Sequence, residues 1–179
     1  MAFALTPRFL RRGLELFALI SLAGVAGLLV YYYARYGDRF DTFIDLTTVN
    51  EMVPYANILL EQVNAYNLEA VHHRFPIGDF GLPTPETMND ILNRIEESLQ
   101  AGRKIYLHCW GGIGRTGTTV GCYLVRQGNT AEQALDQLAA WWRGVPKSQY
   151  HPHSPETGEQ VNFIRTWAAQ DAKLRNYHK

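Results

Sequence analysis

The sequence predicts an α/β fold, a central sheet flanked by helices. Three observations predict it. From Phe43 onward, short apolar strands alternate with segments of helical periodicity, in the order strand, helix, strand, helix, strand, loop, helices. Residues of the apolar classes make up 46% of the chain and charged residues 19%, the balance of a globular protein with a genuine core. The third is local: an apolar strand near 104–108 runs into a glycine-rich turn and then into a helix.

The first forty residues differ from the rest, and the chain divides into 1–40 and 41–179. Leu16 to Ala34 carries no charge over 19 residues, flanked by Arg8, Arg11 and Arg12 before it and by Arg35 and Arg39 after it. Tyr31, Tyr32 and Tyr33 close it. About 20 apolar residues span a bilayer and tyrosines favour its interface, so 16–34 reads as an N-terminal helix serving as a membrane anchor. A long helix packed on the domain is the alternative, because Ser21 and two glycines dilute the run and Glu15 abuts it. No small-residue cleavage site follows, against a signal peptide. The arginine bias slightly favours the N-terminus inside, whereas free thiols favour a cytoplasmic catalytic domain, so the orientation stays open.

Phe43-Ile44-Asp45-Leu46 reads as a buried strand and 54–66 as a helix. Glu69 to Phe75 alternates as a strand does. Thr84, with Pro85 in the first turn, caps a helix whose apolar stripe is Met88, Ile91, Leu92, Ile95 and Leu99, and Gly102 ends it. After the strand at 104–108 a helix runs from Arg115 to about Arg126. Thr130 and Gln133 have capping-box spacing before a helix burying Ala131, Ala134, Leu135, Leu138 and Trp142. The last helix is expected to start at Ser154-Pro155-Glu156 and to turn Val161, Ile164, Trp167 and Ala168 inward.

With 17 basic and 17 acidic residues, no global field points to nucleic acid as a partner. Two cysteines, Cys109 and Cys122, are too few for a disulfide framework and lack zinc-site spacing. Cys122 reads as a small core residue. The histidine pairs His72–His73 and His151–His153 have no carboxylates at ligand spacing, so no metal or other cofactor is expected.

The chemistry concentrates in His108-Cys109-Trp110-Gly111-Gly112-Ile113-Gly114-Arg115-Thr116. Such a turn points successive backbone N–H groups into an anion nest, backed by the positive end of a helix. Gly111, Gly112 and Gly114 are expected to allow positive φ angles and close approach. A free thiol titrates near ~8.5 and nearby positive charge lowers that value, so Cys109 reads as a thiolate nucleophile. Arg115, five residues on, offers a planar fork for two phosphate oxygens. A nucleotide-binding loop would need a lysine after its second glycine, and Thr118 and Thr119 stand there instead. A plain glycine-rich turn around a buried cysteine is the remaining alternative.

This segment resembles the signature of the cysteine-based protein tyrosine phosphatases, His-Cys, five residues, Arg, then Ser or Thr. Across Phe43–Trp167 the chain looks like a small dual-specificity phosphatase. The resemblance implies Cys109 as nucleophile, Arg115 and the loop Trp110 to Gly114 as phosphoryl binders, and Thr116 as the hydroxyl that eases thiolate departure. His108 would brace the loop. Asp79, in a Pro/Gly-rich loop after a strand, resembles the family's general acid, with Gly78 where many relatives have proline. Gln160 resembles a glutamine that positions hydrolytic water, against a plain surface position. The implied partner is a phosphorylated protein; a lipid or inositol phosphate phosphatase and a non-catalytic binding module are the alternatives. Sulfurtransferase loops are one residue shorter between cysteine and arginine. Relatives begin with an N-terminal strand where this chain has its apolar segment, which leaves the sheet edge and pocket depth open.

Overall fold

The structure, a computed structural model, describes residues 2–5, 40–52, 54–65 and 69–177. Its strands are β1 (Ala2–Leu5), β2 (Thr42–Asp45), β3 (Val71–Arg74) and β4 (Ile105–His108). Its helices are α1 (Ala56–Ala65), α2 (Pro85–Gln100), α3 (Gly114–Arg126), α4 (Ala131–Arg143) and α5 (Gly158–Tyr177), with a 3₁₀ turn at Pro146–Gln149. The four strands form one sheet in the order β1-β4-β2-β3. β2 runs parallel to β3 and to β4, and β1 pairs antiparallel with β4.

Successive side chains of a strand face opposite ways, and here both faces are covered. Phe43 of β2 lies in register with Tyr106 of β4, and Ile44 with Leu107. Phe43 packs with Tyr55 and Leu59 in a small cluster on the α1 side, with Tyr106 against it. Ile44, Leu46, Ile105 and Leu107 face the main core, where Met88, Ile91, Leu92 and Ile95 of α2 meet Val120 of α3, Leu138 of α4 and Ile164 of α5. The result is a sheet between a thin layer and a thick one, with the α2–α5 layer fixing the position of α3.

The anticipated caps are present. The Thr84 hydroxyl accepts from the Thr87 N–H at 3.1 Å with Pro85 in the first turn. Thr130 and Gln133 make both bonds of the capping box. Arg126 ends α3 as a tie, donating to Asn89 at 2.7 Å and Asn93 at 2.9 Å on α2 and to Asp171 on α5.

Two expectations are corrected. α5 begins at Gly158, where the Thr157 hydroxyl accepts from the Gln160 N–H at 3.2 Å, and not at Ser154. Ile164 and Trp167 turn inward as expected, and Gln160, Phe163 and Asp171 complete the buried side, whereas Val161 is half-buried and Ala168 exposed. Residues 2–5, placed by the sequence reading in an N-terminal helical unit, form β1, and its antiparallel ladder occupies the free edge of β4. The 16–34 segment lies outside the described residues. Among the described residues no helix is long and apolar enough to cross a membrane.

Candidate active site

The glycine-rich turn leaves the carboxyl end of β4, the end of a parallel sheet where crevices form. Cys109 is buried with its sulfur turned into the turn: the Gly112 N–H donates to Sγ at 3.2 Å, and so does the Thr116 hydroxyl, also at 3.2 Å. Two donors thus converge on the one sulfur. Gly112 has φ +69°, the left-handed region that other residues rarely adopt. Gly114 is needed for another reason, since a Cβ there would lie 2.7 Å from the Gln160 amide nitrogen. Positive φ, expected of three loop glycines, is confined to Gly112. Ile113 contributes backbone only, because its side chain belongs to the core and its carbonyl accepts from the Ser154 hydroxyl at 2.8 Å.

Arg115 is 2% exposed. Its Nη1 donates to Glu51 Oε2 at 2.7 Å and to the Ile77 carbonyl at 2.9 Å, while Nη2 donates to Glu51 Oε1 and, at 2.9 Å, to Asp79 Oδ1. The pair with Glu51 is bidentate, fixing the plane of the fork. Burial opposes the guanidinium's charge, but the Glu51 hydrogen bonds and the charges of Cys109, Glu51 and Asp79 outweigh it and hold its pKa above the usual arginine value. Glu51 is held below the usual carboxylate range, by Arg115 first, against some burial, and with help from the Thr48 N–H at 3.1 Å. The sequence reading missed Glu51; its one local signal is the Thr48-x-x-Glu51 spacing.

Beneath the turn, His108 Nδ1 lies 3.2 Å from the Cys109 carbonyl and Nε2 lies 2.6 Å from the Tyr55 hydroxyl. Burial lowers the His108 pKa more than the Asp45 carboxylate raises it, so the ring is neutral at pH 7. A carbonyl can only accept, so Nδ1 carries the proton, and the Tyr55 hydroxyl donates to Nε2. Burial, with the charge of Asp45, pushes the Tyr55 phenol far up and keeps it a donor. Asp45, fully buried in β2, accepts from Arg74 Nη2 at 2.7 Å and from the Thr47 hydroxyl at 2.6 Å. Burial would raise its pKa, but His72, His108 and Thr47 hold the carboxyl well below the usual range.

Asp79 sits on the opposite rim with its side chain 57% exposed. Its loop is tight: Asp79 Oδ1 accepts from the Phe80 N–H at 3.1 Å, and Phe80 takes φ +55°. Gln160 is not on the surface. Its Oε1 accepts from the Glu156 and Thr157 N–H groups at 3.0 and 3.2 Å, and its Nε2 donates to the Gly81 carbonyl at 3.4 Å, so it links the Asp79 loop to the floor under Gly114. A cavity of about 440 Å³ opens above Cys109 and Arg115, rimmed by Asp79, Phe80, Trp110, Lys147, Tyr150 and His151. Among the described residues no group of three or more His, Cys, Asp or Glu side chains is placed to hold a metal ion. Cys122 is buried in the core, where burial raises its thiol pKa.

Residues 38–129 match the family model described as polymorphic toxin system, DSP-PTPase phosphatase. Cyclin-dependent kinase inhibitor 3 of Sus scrofa is 35% identical over 82 residues, covering 45% of this chain and 38% of that protein. Protein tyrosine phosphatase domain-containing protein 1 of Bos taurus is 31% identical over 105 residues, 58% of this chain and 12% of that protein. The chain thus spans well under half the length of these curated relatives. The solved structure of a glycine-to-alanine mutant of Tk-PTP superposes with TM-score 0.61 at 25% identity, covering 87% of this chain and 89% of that one.

Proposed function

The chain belongs to the DSP-PTPase phosphatase family of polymorphic toxin systems, and from that premise we propose that it hydrolyses phosphate monoesters of proteins, phosphotyrosine foremost and phosphoserine or phosphothreonine besides, through a phosphocysteine. The observation that carries the reading is the convergence on one cavity floor of the Cys109 sulfur, its two donors Gly112 and Thr116, and the clamped Arg115 fork.

In the first step the Cys109 thiolate attacks phosphorus, the ester P–O bond breaks, and the leaving oxygen takes a proton from the Asp79 carboxyl. The backbone N–H groups of 110–114 and Arg115 bind the equatorial oxygens. A phosphoryl group competes with Asp79 for Arg115 Nη2, and that exchange turns Asp79 toward the leaving oxygen. In the second step water attacks the phosphocysteine, Asp79 takes its proton, and the S–P bond breaks with Thr116 donating to the departing sulfur. His108 braces the turn from below, and Gln160 supports the acid loop and the floor together. No step requires a metal.

The test is hydrolysis of an aryl phosphate in the presence of a chelator, with vanadate as inhibitor. Cys109→Ser should abolish turnover and retain oxyanion binding; wild-type turnover in that variant would overturn the reading. A panel of phosphopeptides, phospholipids and inositol phosphates decides the substrate class.

A further inference from the structure

The cavity is larger than a phosphoryl group needs and falls in the ~300–1,000 Å³ range of ligand sites. Two permanent cations line it, and they differ. Arg115 is paired with both Glu51 and Asp79. Lys147, carried by the 3₁₀ turn, makes no ion pair among the described residues; its Nζ donates to the Gly111 carbonyl at 3.0 Å, leaving two of its three donors for another acceptor. The loop sequence 110–114 holds no lysine, so the fold brings in from 36 residues away a cation that the turn lacks. Beside it the rim is aromatic: Trp110 is 61% exposed, Phe80 56% and Tyr150 82%.

We propose that Lys147 forms a second anion subsite, and that the preferred substrate is a phosphotyrosine peptide with an acidic side chain next to the phosphorylated residue. This deepens the phosphatase reading and rests on it. The phosphoryl group sits on Arg115, the aryl ring stands between Phe80 and Trp110, and the neighbouring carboxylate meets Lys147. The aromatic rim favours a flat aryl ester over an acyl chain, since offset and edge-to-face ring pairs add to the burial of ring surface.

The experiment compares two phosphotyrosine peptides differing only by Glu or Gln beside the phosphorylated residue. With wild-type enzyme the kcat/KM ratio of Glu to Gln peptide should be about fivefold, the size of one partly screened charge pair. Lys147→Gln should bring the ratio to about one, and Lys147→Arg should restore it. The ratio separates the subsite from any bracing of Gly111, which affects both peptides alike. A wild-type ratio of one, or an unchanged ratio in Lys147→Gln, overturns the proposal. The same ratio is read as binding affinity in Cys109→Ser, with and without Lys147→Gln. A preference in binding without wild-type turnover would sink the phosphatase reading and leave the subsite standing. A vesicle arm with an acidic phospholipid identifies a lipid source: cleavage favoured there over the Glu peptide, and lost in Lys147→Gln, refutes the peptide assignment.

Discussion

The two sides of the candidate site are built differently. On the floor, every polar group has a fixed partner: Arg115 is gripped by Glu51 and the Ile77 carbonyl, Cys109 receives Gly112 and Thr116, and His108 stands on Tyr55. These side chains are buried or nearly so. On the rim, Asp79, Phe80, Trp110 and Tyr150 are more than half exposed, and Asp79 is held by the neighbouring Phe80 N–H and by Arg115 Nη2, a donor that phosphate would claim. In the proposed mechanism the floor holds a trigonal-bipyramidal transition state without reorganising, which calls for donors already in place. In the same mechanism the rim admits a substrate, delivers a proton and then serves as base, which calls for a loop whose contacts are cheap to exchange.

The largest effect should come from the floor. Arg115→Lys keeps the charge and loses the fork, so kcat/KM on an aryl phosphate should fall about 10²–10³-fold, as for loss of a preorganised donor. Steady-state kinetics measures it, and a loss of less than tenfold would mean that the Glu51 clamp does not fix phosphate geometry. Asp79→Asn, on the rim, should cost about 10²-fold in kcat and more for alkyl than for nitrophenyl esters, because only poor leaving groups need the proton. Its unfolding free energy from urea titration should stay within about 0.5 kcal/mol of wild type, as for other exposed positions. A variant that lost stability more than activity would break the distinction between the two sides.

How much of this could be read beforehand follows from sequence separation. The strand, turn and helix carrying Cys109, Arg115 and Thr116 lie within 104–126, and their chemistry is a local pattern, as is the capping box at Thr130 and Gln133. Glu51 reaches Arg115 across 64 residues, Tyr55 reaches His108 across 53, and Lys147 reaches Gly111 across 36. Those contacts arise from the parallel pairing of β2 with β4 and from the return of the chain after α4, which no local spacing encodes. Gln160 is singled out by resemblance alone, and its burial is not legible locally, because the partners that bury it are the Gly81 carbonyl 79 residues away and the backbone of Glu156 and Thr157. β1 escaped because four apolar residues, Ala2 to Leu5, fit a strand as well as the head of a helical unit, and only the free edge of β4 decides between them.

The smallest of the expected effects tests whether the floor is coupled to folding. His108 titrates below its ordinary value because burial disfavours the imidazolium, and half-buried His73 shifts the same way, by burial first and then by the charge of Arg94. The unfolded chain therefore binds more protons than the folded one from about pH 6.5 downward, so stability falls as pH drops through that window. The losses from Asp45 and Glu51, whose folded values are depressed, set in only below about pH 4.5, where the unfolded carboxylates begin to protonate. Urea unfolding between pH 7.5 and 5 stays above that carboxylate range, and His108→Asn isolates the His108 share of the slope. His108→Asn keeps a side-chain N–H for the Cys109 carbonyl and removes the titration, so its stability should vary less with pH than that of wild type. Tyr55→Phe leaves Nε2 of a buried ring without its donor and should cost about 1–3 kcal/mol at pH 7.5. Were the His108→Asn slope as steep as that of wild type, the pH response would belong to His73, and the floor under Cys109 would be proton-silent.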